Sequence, residues 1–570
     1  MRWDLLYPVT EKENRFWSRF DPNFNVAPVT NFAQPNYAAL LASTPTTANA
    51  AGLALLRQFR PDASTFVARG GILYAGKDAN KYVENIQYKY VQPRVGLAYR
   101  FTDHTVIRGG YGRFVQSTFN TASQAGFSQS SPFNATFDNF RTPVDALANP
   151  FPNGRTVLPT GNTLGELTNP GSVGSYTDPD IGRPYTDDFS VHLQHQIGNY
   201  LLQVSGVYVR TGGLGVGINT NMPSVDVFRA AFTPTFDATG RPVDTLAGNI
   251  SVTNPFRNSP LINTGLQNNT TVSAYSLLRP NPLLGDLPVT QPVGKSTYRA
   301  LQGKVERRLH DGFSVLGAFS WSRKYTQAGF LNNTQIFRPG LFKQLDTGDR
   351  PIIASVSSIY EIPTGRGKWL GKDMGKGWDM LVGGWELSGV YQYATGTPIS
   401  LPTNSAFFEG GDPGKGFDRS SGLLFNTDLL RPFPSRSTTV AQLQASPSWT
   451  GVQNLPGFNY VPSGTNPPGN GVYQWFSQGY LLTNPTFNVQ TFDSVRNMPD
   501  NEVNLALRKN LRFGETLRLQ LRVDAFNVFN SVQFGGPSTD PNSSLFGRRN
   551  ATPTQSNNPR AIQLGLKVYF

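Results

Sequence analysis

The chain closes on Ala561-Ile562-Gln563-Leu564-Gly565-Leu566-Lys567-Val568-Tyr569-Phe570. Every even position holds a large apolar side chain, and the odd positions hold Ala, Gln, Gly, Lys and Tyr. Successive residues of a strand point to opposite faces, so this segment reads as a strand with one apolar and one largely polar face. It stops on an aromatic residue. A soluble sheet gains little from such an ending, because termini fray in water. A β-barrel gains much, because its last strand removes an open edge by pairing with the first. The last strand of a soluble β-sandwich is the alternative reading.

The totals suit a barrel. The chain has 570 residues, 38% of them apolar, and a mean hydropathy of −0.33. It has no run of about 18 apolar residues, so no transmembrane helix is expected. Barrel strands alternate and need no such run. The 57 Gly, 43 Pro and 12% aromatic residues fit many strands joined by irregular loops. With no cysteine, disulfides and thiolate metal sites are excluded. The net charge of +13 is spread out, without a dense Lys/Arg run, which favours acidic partners such as lipopolysaccharide over nucleic acid.

Alternation marks further strands in hairpin pairs. They are 94–101 with 106–115, 189–197 with 200–210, 298–309 with 313–324, 352–362 with 381–393, and 502–511 with 516–529. Between the pairs lie long polar stretches at 116–184, 212–296 and 396–498. Short and long connections therefore alternate, as in an up-and-down barrel with tight periplasmic turns and long extracellular loops. By that parity the final strand descends and Phe570 ends at the periplasmic rim. Upstream, residues 9–90 are Pro- and Asn-rich, with a short helix expected at 46–57 and a short strand at 66–74. The expected fold is all-β: an antiparallel up-and-down transmembrane barrel portion of about 12–14 strands, forming one domain over 1–570.

Charge placement orients the faces. Lys304, Glu306 and Arg308 share one side of a strand, as do Arg518, Arg522 and Asp524. A Lys or Arg facing lipid at mid-membrane costs roughly 2–4 kcal/mol, so these rows are expected to face the lumen. Aromatics near strand ends, among them Tyr99, Trp321, Tyr360, Tyr393 and Tyr569, are expected in interfacial girdles.

Several blocks resemble those of TonB-dependent outer-membrane receptors of the Oar-like kind: Gln92-Pro93-Arg94-Val95-Gly96-Leu97-Ala98-Tyr99, Arg108-Gly109-Gly110-Tyr111-Gly112, Val523-Asp524-Ala525-Phe526-Asn527-Val528-Phe529-Asn530, and Asn558-Pro559-Arg560 before the last strand. Gln563, Gly565, Val568 and Phe570 resemble the signal that such barrels present to the barrel-assembly machinery. The resemblance implies a bacterial outer-membrane location and a full barrel of about 22 strands around an N-terminal plug. It also implies uptake of an extracellular ligand, energised by TonB-ExbB-ExbD through that N-terminal region, with no cofactor. The lumenal charges then become candidate plug contacts. Trp449, Phe458, Tyr460 and Trp475 of the longest loop become candidate ligand contacts. Neither plug, TonB box nor signal peptide is legible here. The chain is therefore expected to be a fragment or to have a misassigned start, and to close poorly: Met1–Tyr7 either pairs with the tail or leaves an open edge.

Nothing in the sequence argues for catalysis. His192 and His195 fall on opposite faces of a strand. Gly294-Lys295-Ser296 lacks the first glycine of a phosphate loop, Val289 standing in its place. Asp178 with Asp180, and Asp346 with Asp349, fit turn-capping better than Ca²⁺ binding. A secreted β-rich glycan-binding or adhesion protein is the competing reading. A propeller enzyme would show repeats of about 40–50 residues, and none is seen.

Overall fold

The computed structural model describes residues 1–8, 10, 12–13, 15–77, 79, 81–116, 127, 149, 159–232, 246–262, 265–330, 340–401, 406–408, 411–432, 491–513, 517–541, 543–549 and 555–570. Its centre is one antiparallel sheet. In chain order the strands are β1 (Arg94–Thr102), β2 (Thr105–Val115), β3 (Tyr185–Ile197), β4 (Tyr200–Asn219), β5 (Pro288–His310), β6 (Phe313–Gln327), β7 (Ile352–Glu361), β8 (Trp385–Ala394), β9 (Asp500–Phe513), β10 (Leu517–Phe526) and β11 (Ala561–Tyr569). Each pairs with its neighbours in sequence, so the spatial order equals the chain order. No helix among the described residues is long and apolar enough to cross a membrane; the strands carry that possibility.

The expected hairpins are all present, and their short turns lie at one end of the sheet. Asp311 and Gly312 both take positive φ, 52° and 75°. Two successive left-handed residues form the tight turn that matches strand twist, which is why an Asp-Gly pair sits there. The connection between β7 and β8 is longer and carries a helix, Lys376–Val382.

Registers fix the faces. Leu521 lies opposite Leu566, Val523 opposite Leu564 and Leu519 opposite Val568, while Arg522 faces Gly565 and Asp524 faces Gln563. The same apolar face continues across the sheet through Leu507, Leu387, Tyr360 and Phe313. It is not covered: Leu521, Leu566 and Leu564 are 45%, 61% and 75% exposed. Among the described residues no protein core lies behind the leucines of β10 and β11. A soluble monomer rarely leaves so broad an apolar area bare, which counts against the secreted module.

The sheet ends on two unpaired edges, β1 and β11, and among the described residues no ladder joins them. Both run from the long-loop end to the turn end, so they share a direction. Met1–Tyr7 does not reach the tail. Instead Arg2–Leu6 pairs with Gln87–Gln92, which Pro93 separates from β1.

The long connections differ from the sequence reading. Residues 17–75, 220–232, 246–262 and 265–287 are not bare loops; they build a packed layer beyond the long-loop end. It contains α1 (Ala27–Ala42), α2 (Ala50–Phe59) and α3 (Val225–Phe232). The expected helix at 46–57 is α2, displaced by a few residues, and α1 went unforeseen because Pro28 and Pro35 interrupt its sequence. Its buried Val29, Ala33, Tyr37 and Leu40 nevertheless recur at helical spacing. They meet Leu53 and Leu56 of α2, Phe66, Val227, Phe256 and Leu277 in one core. The Tyr37 and Phe66 rings stack at 4.2 Å. The Arg60 guanidinium donates to the carbonyls of Leu277 and Arg279, tying the two halves of this cap together. β4 and β5, 20 and 23 residues long, outrun the others and carry it.

Burial pushes the Tyr37 phenol up to about 12, against a smaller opposing pull from Arg60. A raised acid is held protonated by the folded state. Its stabilisation is complete below the unfolded value near 10 and is lost as pH rises through about 12. Tyrosinate absorbance during a base titration should therefore rise with loss of cap structure in that window, and Tyr37→Phe should remove this component.

Candidate functional site

The polar face of the sheet is concave. Lys304 and Glu306 on β5, Ser314 on β6, Ser357 on β7, Ser388 on β8, Arg508 on β9 and Asp524 on β10 line one cavity of about 720 Å³. Flat strands about 4.8 Å apart would spread those six strands over roughly 24 Å. Only strong curvature brings them around one space. A second cavity of about 290 Å³ continues along the same face, between Gln203, Ser205, Gln302, Lys304, Ser320 and Ser355.

Three pairs of opposite charge lie on this face. Lys304 Nζ lies 2.8 Å from Glu306, Arg508 2.7 Å from Glu386 and Arg522 Nε 2.6 Å from Asp524. Opposite partners two residues apart on one strand, or directly across a ladder, are what an alternating polar row supplies. His192 bonds Ser205 at 2.8 Å and Gln194 donates to Gln203 at 2.7 Å, so the polar lining continues to β3. Apolar residues such as Val390 and Ile359 also line the main cavity. The result is a polar trough with three internal ion pairs, suited to holding a polar polypeptide surface or passing a polar solute.

Of the sequence-derived lumenal candidates, Lys304, Glu306, Arg522 and Asp524 line the cavity together. Arg308 lies at the turn end of β5, exposed. Arg518 shares the concave face but packs its guanidinium over the Tyr569 ring at 4.5 Å. Tyr569 thus belongs to the polar face, and the girdle position expected for it is wrong. The other girdle aromatics named above, Tyr99, Trp321, Tyr360 and Tyr393, do fall on the apolar face. Arg508 and Glu386 were missed, although the alternation of β9 places Asn504, Ala506 and Arg508 on one side and held that signal. Gln563 and Gly565 face the trough opposite Asp524 and Arg522, Val568 faces outward opposite Leu519, and Phe570 is fully exposed. Trp449, Phe458, Tyr460 and Trp475 lie outside the described residues.

No group of three metal-ligating side chains occurs among the described residues. His195 meets Thr105 on the apolar side while His192 faces the trough. Asp178 caps the Asp180 amide and Asp346 the Gly348 amide. Asp349 accepts from the Lys324 amide and from Arg496.

Asp524 is buried and Arg522 is half-exposed. Asp524→Asn should therefore lower stability by about 1 kcal/mol, the modest figure reflecting water on the arginine. The double change with Arg522→Gln should recover part of it. Urea midpoints of the four proteins, refolded in detergent, measure both.

A family model for an outer membrane beta barrel domain matches residues 1–563. No curated protein matches the chain in sequence. Among solved structures, it is similar to the Pseudomonas aeruginosa pyoverdine outer membrane receptor FpvA (TM-score 0.34, 8% identity, 88% of this chain and 39% of that one). It is also similar to BauA, the ferric preacinetobactin receptor of Acinetobacter baumannii (0.33, 8%, 88% and 38%), and to the ferric-catecholate import receptor Fiu of E. coli (0.32, 9%, 88% and 37%). The chain spans less than two fifths of the length of these three proteins. With bare apolar and curved polar faces and a matching model over nearly its whole length, the chain belongs to the outer membrane beta barrel domain family and resides in the bacterial outer membrane.

Proposed function

We propose that this chain is the barrel portion of a TonB-dependent uptake receptor of the Oar-like kind, within a longer polypeptide that supplies the plug. The observation that carries the reading is the concave trough. It is polar, it holds three ion pairs within the chain, and a packed layer lies beyond the sheet on the long-loop side. A passive pore lined this way needs no such cap. The unpaired β1 and β11 edges, which run in the same direction, fit a barrel completed by an odd number of further strands between them. On this reading Lys304, Glu306, Arg522 and Asp524 contact the plug. The cap and the long 396–498 connection capture an extracellular ligand. The terminal Gln563, Gly565, Val568 and Phe570 address the assembly machinery.

The test is genetic and physical together. The gene is deleted in its host and restored in full length, and growth is scored on a panel of scarce solutes too large for passive pores. A defect on at least one solute, repaired by the restored gene and copied by a protonophore, is the expected result. Normal growth across the panel, with solute entry insensitive to the protonophore, overturns it.

A further inference from the structure

The apolar face carries charges at two levels. Near the short turns, Arg307 and Lys509 lie over aromatic rings of Tyr200, Phe313 and Trp385. The other level is a grid at the long-loop end. One row reads Arg113, Asp187, Arg210, Thr297 and Tyr325 across β2 to β6; the next reads Tyr111, Phe189, Tyr208, Arg299 and Arg323. Arg299 stands directly opposite Arg323. Like charges in that position destabilise a sheet unless something between them is negative. Asp493 reaches Arg323 at 2.8 Å but is shared with Arg496. Asp187 is held by both ends of the Arg113 guanidinium, at 2.7 and 3.0 Å. Among the described residues Arg210 and Arg299 have no salt bridge, and Arg299 only leans on the Tyr208 ring at 5.5 Å.

The height of the grid identifies what it meets. Asp187, Arg210, Arg299 and Arg323 lie about ten residues from the turn-side ends of their strands, which at 45° tilt is roughly 23 Å, the top of an apolar band about 25 Å tall. Directly below are the exposed Val191, Val204 and Leu301. A ligand there has its anionic groups at the guanidinium level and hydrocarbon beneath. We propose that Arg210, Arg299 and Arg323, with the Arg113–Asp187 pair as their fixed flank, bind the phosphates of a polyphosphorylated glycolipid of the outer leaflet. Guanidinium forks match phosphate oxygens two at a time, and the diagonal spacing of Arg210 and Arg299, about 7–8 Å, suits two phosphates on one headgroup. The site depends on how the sheet sits in the membrane and is independent of the uptake reading, so either can fail alone.

The full chain is purified in detergent and titrated with phosphorylated lipid A, with the same lipid after phosphatase treatment, and with inorganic phosphate, reading bound lipid by native mass spectrometry. Binding of the phosphorylated lipid, weakened about twentyfold by R210Q/R299Q, with little binding of the other two probes, is expected. Equal binding of both lipids overturns the proposal, as does inorganic phosphate competing at the lipid's own concentration, or an unchanged affinity in the variant. Should the variant fail to fold, the comparison of the three probes on the unaltered chain decides alone.

Discussion

Replacing Leu521 by Arg should cost the folded state about 2–4 kcal/mol, while Gln520→Arg, one residue away, should cost under about 1 kcal/mol. Leu521 is the fifth of the ten residues of β10, on the apolar face between Leu566 and Lys509, whose ammonium turns away to the carbonyls of Leu381 and Gly383 at the turn end, and it is 45% exposed within the protein. Lipid is what covers it, and hydrocarbon offers a guanidinium neither water nor a counter-ion. Gln520 faces the trough between Asn510 and Lys567. A cation there keeps its water and meets only partly screened repulsion from Lys567. Urea unfolding in lipid vesicles, followed by heat-dependent gel migration, gives both numbers. If the apolar face met water instead, the order would invert, because an arginine replacing an exposed leucine on a soluble sheet is close to neutral. Equal costs at the two positions would therefore remove the membrane assignment of the whole face.

That contrast shows why most of the sheet was legible. Leu517, Leu519, Leu521 and Val523 alternate with Arg518, Gln520, Arg522 and Asp524, and a strand between water and lipid is under one constraint along its length. The pattern is therefore local, and it located every hairpin. Where a strand leaves the membrane the constraint ends. β5 begins at Pro288, ten residues before the alternation at Tyr298, and its first part contains Pro292, Gly294 and a bulge facing Gln291 to Lys295. Partner strand β4 and the cap hold it extended, which no periodicity records.

The guanidinium grid was hidden for a different reason. Arg113, Arg210, Arg299 and Arg323 are single charges at the ends of four separate apolar rows, and only the ladder register places them side by side. The trough was half visible: two residues apart on one strand, Lys304 with Glu306 and Arg522 with Asp524 declare themselves, whereas Arg508 with Glu386 is a contact across strands. The cap was the least legible. Phe66 and Phe256 stack into one core at 5.3 Å although far apart in sequence, and nothing local announces that such a distance will close.

The cap should also separate energetically from the sheet, and Phe66→Ala should show it with a loss of about 3–5 kcal/mol confined to that layer. Phe66 is fully buried, as are its neighbours Tyr37 and Phe256. Its ring stacks on Tyr37 with an interplanar angle of 5°, and the Arg60 guanidinium lies 5.8 Å from its centre. Truncation removes a large apolar area and leaves a void between rings whose backbones are fixed from two directions, α1 on one side and the 246–278 segment on the other, so little of it can collapse. The side chain of Arg60 also loses a wall, which loosens its bonds to the carbonyls of Leu277 and Arg279. The sheet contributes no residue to this core, and its own ladders are continuous beneath it. Protease digestion followed by mass spectrometry should therefore find new cuts between residues 17 and 75 in the variant, while the heat-dependent migration of the strand region is retained. Loss of both together would mean that the cap and the sheet fold as one unit, and that the long upper halves of β4 and β5 couple them more tightly than a separate core implies.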